Sequence, residues 1–402
     1  MMRRACRRAA GLVMGWLLAT AATLAAAQSE LQPFTFGYVG LADDPRYSEA
    51  RLENRFQGEP WGRPIAGAKV AIKESRFPGM AAGVEFGLNE QLVADSQAAI
   101  EAVRQLQGNG HRFVLLDLPG PTTAEVADAF AGEEMVLFNV SASDDRLRGQ
   151  ACQANLMHTL PSHAMQNDAL AQFLLSRQWS EVLVLVGQEE ADRKLADSFA
   201  RSAKRFGLDI VDEREFLLGN NPRQREQNNP RLLTSGIDYD VVYVADTQGE
   251  FARELSYQTQ LPRPVVGSGG LVPQAWHWAW QRHGARQLNN RLEELAGRHM
   301  TGHDWAAWIA IKAVVEAVQR QKTSQFAPLR DYLVSDDIVL DGFKGYRMGF
   351  RDWNGQLRQP ILLGSGNWVV ARAPFEGFLH QTNALDTLGF DPRESKCKLA
   401  DN

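Results

Sequence analysis

Cysteine is nearly absent from this 402-residue chain: Cys6, Cys152 and Cys397 are the three it has. None forms a C-x-x-C pair, so thioredoxin-type and zinc-ribbon sites are excluded. There is no G-x-S-x-G elbow, no H-E-x-x-H helix and no protein-kinase motif set, which removes the common hydrolase, metalloprotease and kinase signatures. Basic charge is not in excess. With 43 Lys and Arg against 48 Asp and Glu the net charge is −5, the wrong sign for nucleic-acid binding. No sequence repeat of fixed period occurs, and beyond the N-terminus no apolar run is long enough to span a bilayer.

What is present begins with an export signal. Arg3, Arg4, Arg7 and Arg8 precede an apolar Ala- and Leu-rich run, Ala9–Leu24, and Ala25-Ala26-Ala27 supplies a small-residue cleavage site. Residues 1–27 are expected to be a cleaved signal peptide, with Gln28 as the mature start and the periplasm as destination. Loss of those four arginines leaves 39 basic against 48 acidic residues, a mature charge of −9. The mature chain keeps Cys152 and Cys397. In an oxidising compartment two cysteines suit one disulfide, with two free thiols as the alternative.

Ser180–Phe216 sets the architecture. Val182–Val186 is an all-apolar, branched run suited to a strand covered on both faces. Leu195, Phe199, Ala203 and Phe206 then recur at helical spacing, Gly207 ends the helix, and Ile210–Phe216 resumes as a strand. Strands are also expected at Phe34–Val39, Val84–Leu92, Phe113–Leu118 and Met135–Val140. Helices are expected at Ser48–Phe56, Ala66–Ser75, Asp95–Gly108 and Thr123–Phe130. After a helix at Ser162–Arg177 the rhythm restarts: a strand at Val241–Ala245, a helix at Gly249–Gln260 and a strand at Pro264–Gly267. Helices at Asn289–Gly297, Asp304–Gln321 and Phe326–Leu333 follow. Tyr346–Phe350 and Leu357–Leu363 flank Asp352-Trp353-Asn354-Gly355, a hairpin signal, and Trp368–Ala371 adds a strand. The fold class is therefore α/β, with two doubly wound lobes and a ligand cleft between them.

Several groups are candidates for chemistry. Gly267-Ser268-Gly269-Gly270 follows a strand but lacks the Lys-Ser/Thr pair of a phosphate loop. His299 and His303 have the spacing of helical metal ligands, but Gly302 lies between them and no third ligand is evident. Asp43-Asp44 and Asp144-Asp145 follow strands and suit a cation or an amine, or ordinary solvated loop charge. Thr122-Thr123-Ala124-Glu125 reads as a capping box, and Ser141-Ala142-Ser143 follows the next strand. Amides and hydroxyls at helix starts suit an anion, or plain N-capping. Trp276 is a candidate for stacking on ligand, or for core packing as a helical i,i+4 pair with Trp280.

The two-lobe plan, the export signal and the lack of catalytic signatures together resemble type I periplasmic binding proteins of ABC importers, the branched-chain amino-acid class. In that resemblance Asn139–Ser143 is similar to the loop that holds a ligand carboxylate, so Ser141, Ala142 and Ser143 would be binding residues. Pro119–Thr123 matches the preceding contact loop more loosely. The last third, GRHMTGHDWAAWIAIKAVVEAV (297–318), FKGYRMGFRDWNGQLRQPILL (343–363) and PFEGFLHQTNALDTLGFDPRESKC (374–397), resembles one subfamily, the binding protein associated with catabolism dependent on pyrroloquinoline quinone (PQQ). The second-lobe acidic residue that pairs a ligand ammonium in amino-acid binders is not evident near Gly267–Leu271; Asp246 is the substitute.

The resulting expectation is a periplasmic substrate-binding component with no enzymatic activity and no cofactor. Its partners would be a small ligand, an inner-membrane permease and the quinoprotein dehydrogenase system, with no nucleic acid. Asp43, Thr122, Thr123, Ser141, Ala142, Ser143, Asp246 and Trp276 would line the cleft. Lobe 1 would span 28–150, completed by about 283–338; lobe 2 would span 151–282, completed by 339–373; a tail would cover 374–402. The alternative is a non-transport accessory or sensor of the quinoprotein system, handling metal, cofactor or an alcohol-derived ligand.

Overall fold

The structure, a computed structural model, describes residues 31–48, 62–219, 222–397 and 399. The expected signal peptide, residues 1–27, and most of the expected Ser48–Phe56 helix lie outside these residues. The first lobe is built on β1 (Gln32–Leu41), β2 (Val84–Val93), β3 (Phe113–Asp117), β4 (Val136–Asn139) and β5 (Leu156–His158), with helices α1 (Ile65–Glu74), α2 (Arg76–Ala81), α3 (Ser96–Gly108) and α4 (Gly120–Ala129). The second contains α5 (His163–Ser176), β6 (Glu181–Val186), α6 (Glu190–Phe206), β7 (Asp209–Glu215), β8 (Val241–Ala245), α7 (Glu250–Leu255) and β9 (Val265–Gly267).

Both sheets are parallel, with orders β2-β1-β3-β4-β5 and β7-β6-β8-β9. The reason lies in the strands. FVLLD and VVYVA are buried at every position, and each sheet is covered on two faces by separate apolar clusters. In each sheet the strand order reverses beside the first strand, between β1 and β3 and between β6 and β8. Such reversal points open a crevice at the strands' carboxyl ends.

α6 follows the expected pattern, with Phe199 and Ala203 buried and Gly207 closing it in the left-handed region at φ 82°. Beyond β9 the chain adds β10 (Val272–Gln274), α8 (Ala285–Ala296), α9 (Gly302–Gln321), α10 (Phe326–Leu333), β11 (Leu340–Asp341), β12 (Arg347–Met348), β13 (Ile361–Ser365) and β14 (Trp368–Ala373). α9 joins the first lobe. Gly67 of α1 lies so close to the Asp304 backbone that a Cβ there would have no room. β10, β13 and β14 form an antiparallel sheet, and Ile361 and Leu363 belong to the second lobe's core. The chain therefore passes between lobes three times, near 159–162, 273–276 and 356–360. Among the described residues no helix is long and apolar enough to cross a membrane.

Three expectations are corrected. Residues 275–283 are not helical, so Trp276 and Trp280 are not an i,i+4 pair. The 352–355 turn closes a single antiparallel bridge, Phe350 to Leu357, and its arms then part: β12 pairs with β11, and β13 enters the other lobe. The Asn-Gly-type signal marks a crossing point here, because each arm finds a better apolar partner elsewhere. The helix read at Gly249–Gln260 stops at Leu255.

Cys152 and Cys397 are joined in a disulfide.

Candidate functional site

The reversal point of the first sheet carries a buried charged corner. β3 ends in Asp117, which is fully buried. Its carboxylate accepts from Tyr38 Oη at 2.8 Å, Tyr47 Oη at 2.9 Å and Arg46 Nη2 at 3.1 Å. After β1 the chain makes a short 3-10 turn, Pro45–Tyr47, capped by Asp44, whose side chain accepts from the Arg46 amide. That turn aims Arg46 back at Asp44 (2.6 Å) and at Asp117. Arg63 lies across the face of Tyr47 at 4.6 Å, donates to the Leu41 and Ala42 carbonyls and stands 3.7 Å from Asp117. Two guanidinium groups thus face two carboxylates. Burial alone would raise the Asp44 carboxyl, but the Arg46 hydrogen bonds outweigh it and hold the group below its usual range. Burial and then Asp117 push the Tyr38 phenol well up, so it stays a donor. His303, in the first turn of α9, faces Arg46, Asp117 and the Ser141 backbone; burial and Arg46 keep it neutral.

Next to this corner, the loop after β4 is pinned from within. Asn139 Oδ1 accepts from the amides of Ser141 (3.3 Å) and Ala142 (2.9 Å), and Ser141 Oγ donates to the Leu118 carbonyl. Asn139 Nδ2 donates to the Ala142 carbonyl and sits 3.0 Å from His158 Nδ1, which fixes that nitrogen as an acceptor. Below lies Arg148, fully enclosed and pushed down to about 10 by burial. It donates to the Ala142, Asp144 and Leu160 carbonyls and to Gln356 of the third crossing.

Between the lobes lies a cavity of about 350 Å³. Gly120, Pro121, Ala124, Asp144, Asp145, Arg146, Leu147 and Ala151 line it from the first lobe, at the carboxyl ends of β3 and β4. His163 of α5 and Lys194, Asp197, Ser198 and Arg201 of α6 line it from the second. Asp145 spans the gap: it accepts from the Ala164 amide at 2.9 Å and from Ser198 Oγ at 2.8 Å.

The residues singled out from sequence are distributed as follows. Asp43 is exposed, and its neighbour Asp44 is the one turned inward. α4 begins at Gly120, so Thr122 and Thr123 lie in its first turn and not at its cap. Thr123 is buried and donates to the Leu118 carbonyl, and Gly120 is so close to the Asp144 carboxylate that the helix start already faces a native anion. Ser141 and Ala142 lie at the corner with their amides engaged; Ser143 is half-buried beside it and its carbonyl accepts from the His163 amide. Asp246 caps α7, accepting from the Gly249 and Ala252 amides. Trp276 is in the first lobe's core, stacked on Trp305 at 6.3 Å and donating to Asn289. His299 stacks on Trp278 at 4.2 Å and lies outside α9. Arg46, Arg63 and Asp117 were not singled out, although the polar end of FVLLD, a strand otherwise wholly apolar, was the available signal for Asp117; His303 was noted only for its spacing from His299, and Asn139 only as the start of the 139–143 loop.

A family model described as periplasmic binding protein matches residues 92–255. Among solved structures, a branched-chain amino acid ABC transporter periplasmic ligand-binding protein from Burkholderia xenovorans aligns with TM-score 0.69 at 14% identity, covering 91% of this chain and 99% of that one. An ABC transporter solute-binding protein from R. palustris, in complex with benzoate, aligns with TM-score 0.65 at 10% identity over 91% of this chain and 100% of that one. A branched-chain amino acid transporter substrate-binding protein from Streptococcus pneumoniae, in complex with isoleucine, aligns with TM-score 0.63 at 14% identity over 85% and 99%. No curated protein sequence matches the chain. The fold is that of the two-lobed type I periplasmic binding proteins.

Proposed function

We propose that this chain is the periplasmic solute-binding component of an ABC importer. It would take a small organic ligand between its lobes and present the closed form to a membrane permease, making and breaking no bond. The observation that carries this reading is the interlobe cavity, lined from the first lobe at the carboxyl ends of β3 and β4 and from the second by α5 and α6.

The same geometry argues for a ligand other than an α-amino acid. The Ser141 and Ala142 amides, which would hold an α-carboxylate, are engaged by Asn139. In the second lobe Asp246 caps α7, Asp192 is bonded to Thr247 and to the Glu189 amide, and Glu190 pairs with Lys194. The carboxylates at those strand ends are thus already engaged within that lobe. A neutral or anionic solute without an ammonium group suits this set.

Residues 297–318, 343–363 and 374–397 support a finer reading, association with PQQ-dependent catabolism, in which the solute derives from alcohol oxidation. Ser141, Ser143 and Thr122 remain the proposed first-lobe contacts, now with Arg46 and His303; they stand at the corner beside the cavity and not in its lining. A non-transport accessory role in the same system is the second reading. Among the described residues no group of three or more His, Cys, Asp or Glu gathers as a metal cage.

Thermal-shift and titration calorimetry on the mature chain with benzoate, 3,4-dihydroxybenzoate, isoleucine and calcium test this. A rise in midpoint with either aromatic acid and none with isoleucine is the expected result. Tight binding of isoleucine would overturn the ligand class, and stabilisation by calcium alone would move the assignment to the accessory role.

A further inference from the structure

Two polar groups at the first-lobe corner are held in place with hydrogen-bonding capacity to spare. α9 begins with a reciprocal cap: the Asp304 amide donates to Thr301 Oγ1, and the Asp304 carboxylate accepts from the Thr301 amide. Arg298 grips the same carboxylate with both terminal nitrogens and donates to the Arg63 carbonyl. The first turn of α9 is thereby tied to the segment that brings Arg63 to the corner, and His303 stands in that turn. Its imidazole is half-buried and turned to the Ser141 carbonyl. A carbonyl only accepts, so the ring nitrogen facing it carries the proton and the other is left as an acceptor. Among the described residues nothing else hydrogen-bonds the ring.

The second group is Arg46. Its Nε and Nη2 are taken by Asp44, and Nη2 also reaches Asp117. Nη1 makes no hydrogen bond among the described residues, and the side chain is 23% exposed. Arg46 is near enough to His303 to disfavour a proton on the ring. A free N–H donor and a free lone pair thus share one corner.

Charge at this corner is already balanced, Arg46 and Arg63 against Asp44 and Asp117. A ligand carboxylate there would meet two carboxylates as well as two guanidinium groups, so a neutral group is the better match. That group must accept from Arg46 and donate to His303, and a hydroxyl does both through one oxygen. A primary amide brings a second N–H, while the Asp44 and Asp117 carboxylates are already engaged by Arg46, Tyr38 and Tyr47. An unmatched N–H is costly there.

We propose that Arg46 and His303 form a hydroxyl-reading subsite, so that the solute of this protein is a hydroxylated acid or alcohol with its hydroxyl at this corner. The proposal rests on the solute-binding reading above and narrows it. A site built to hydrogen-bond a hydroxyl rejects the analogue that lacks it, because its own polar groups are then left unmatched.

Titration calorimetry on the mature chain compares two matched pairs, 4-hydroxybenzoate with benzoate and lactate with propionate, and adds 4-methoxybenzoate, which keeps the oxygen and loses the donor. In at least one pair the hydroxylated member should bind roughly tenfold more tightly, the worth of about one good hydrogen bond. The methoxy acid should bind no better than benzoate. His303→Phe should bring the ratio within the pair towards one, whatever happens to the separate affinities. If that variant does not fold, nitrogen-15 spectra of the wild-type histidine rings replace it: the acceptor nitrogen of His303 should shift with the hydroxylated member and not with its partner. Equal binding within both pairs, or a ratio that survives His303→Phe, would overturn the hydroxyl assignment and leave the solute-binding reading standing. No binding by any of the five acids would count against that reading itself and take the subsite with it.

Discussion

Replacing Asp117 with Asn keeps the shape of the residue and removes its charge. In the native corner the carboxylate receives Tyr38, Tyr47 and Arg46 directly and faces Arg63 at 3.7 Å, all at a fully buried position. Leaving a buried cation without its counter-charge costs about 3–5 kcal/mol. Two features reduce that figure. Arg46 retains Asp44 at 2.6 Å, and Arg63 retains the carbonyls of Leu41 and Ala42. The amide oxygen of Asn can still accept from one tyrosine, but its NH2 group must face a donor. A net loss of about 2–4 kcal/mol follows, which for lobes of this size lowers the melting midpoint by roughly 5–15 °C. Tyr47→Phe, which removes one hydrogen bond and leaves the charges, should cost about 1–2 kcal/mol. Asp43→Asn, one residue from Asp44 but exposed, should fall within about 0.5 kcal/mol of the wild type. Urea unfolding followed by far-UV circular dichroism at neutral pH ranks the three. If Asp117→Asn matched Asp43→Asn, the corner would not be a desolvated charge network, and its proposed part in the site would fail with it.

Two pH profiles follow from the same packing. Burial, then Arg148, keeps His158 neutral well below the ordinary histidine range. Below about pH 6.5 the unfolded chain takes up a proton that the folded one does not, so stability should fall as pH drops, by up to about 1.4 kcal/mol per unit, and His158→Gln should flatten that slope; parallel profiles would refute it. Lys344 is fully buried, donates to Gln359 and Pro360, sits over the Trp305 ring and is pushed well below the ordinary lysine range by burial. Between its folded value and about 10.4 the unfolded chain is the better proton binder, so stability should rise with pH across that window and the rise should vanish in Lys344→Met. A wild-type midpoint that stayed level or fell there, relative to the variant, would show that Lys344 keeps its proton.

The scaffold was legible because its strands state their environment. EVLVLV, VVYVA and FVLLD have no polar face, and only a sheet covered on both sides accommodates them. The amphipathic helices between them then required two doubly wound units. Side-chain direction in loops was much less legible. Asp43 and Asp44 are equivalent as letters; the 3-10 turn that Asp44 caps decides which is inward. Asp246 sits at a strand end, where a ligand carboxylate is expected, but α7 begins four residues on and claims it. Trp276 and Trp280 have helical spacing in a segment that never becomes helical, because the chain is there changing lobes. In each case a contact distant in sequence, or a turn shorter than any periodicity, settles the outcome.

The way the two lobes satisfy their own strand ends bears on how binding could work. In the first lobe Asn139 occupies two amides, and Asp117 and Asp44 neutralise two guanidinium groups. In the second, Asp192 holds Thr247 and Asp246 holds the start of α7. Apart from Arg63 Nη1, which makes no hydrogen bond and lies 3.7 Å from Asp117, the groups at these strand ends are already engaged, so neither half alone gains much by binding a ligand. Ligand energy must then come from contacts made across the gap, where Asp145 already meets Ser198. Apparent affinity then scales with the fraction of molecules whose gap is closed enough to make those contacts. The preformed lobes lower the reorganisation needed on binding, which leaves closure of the gap as the step that ligand contacts must drive.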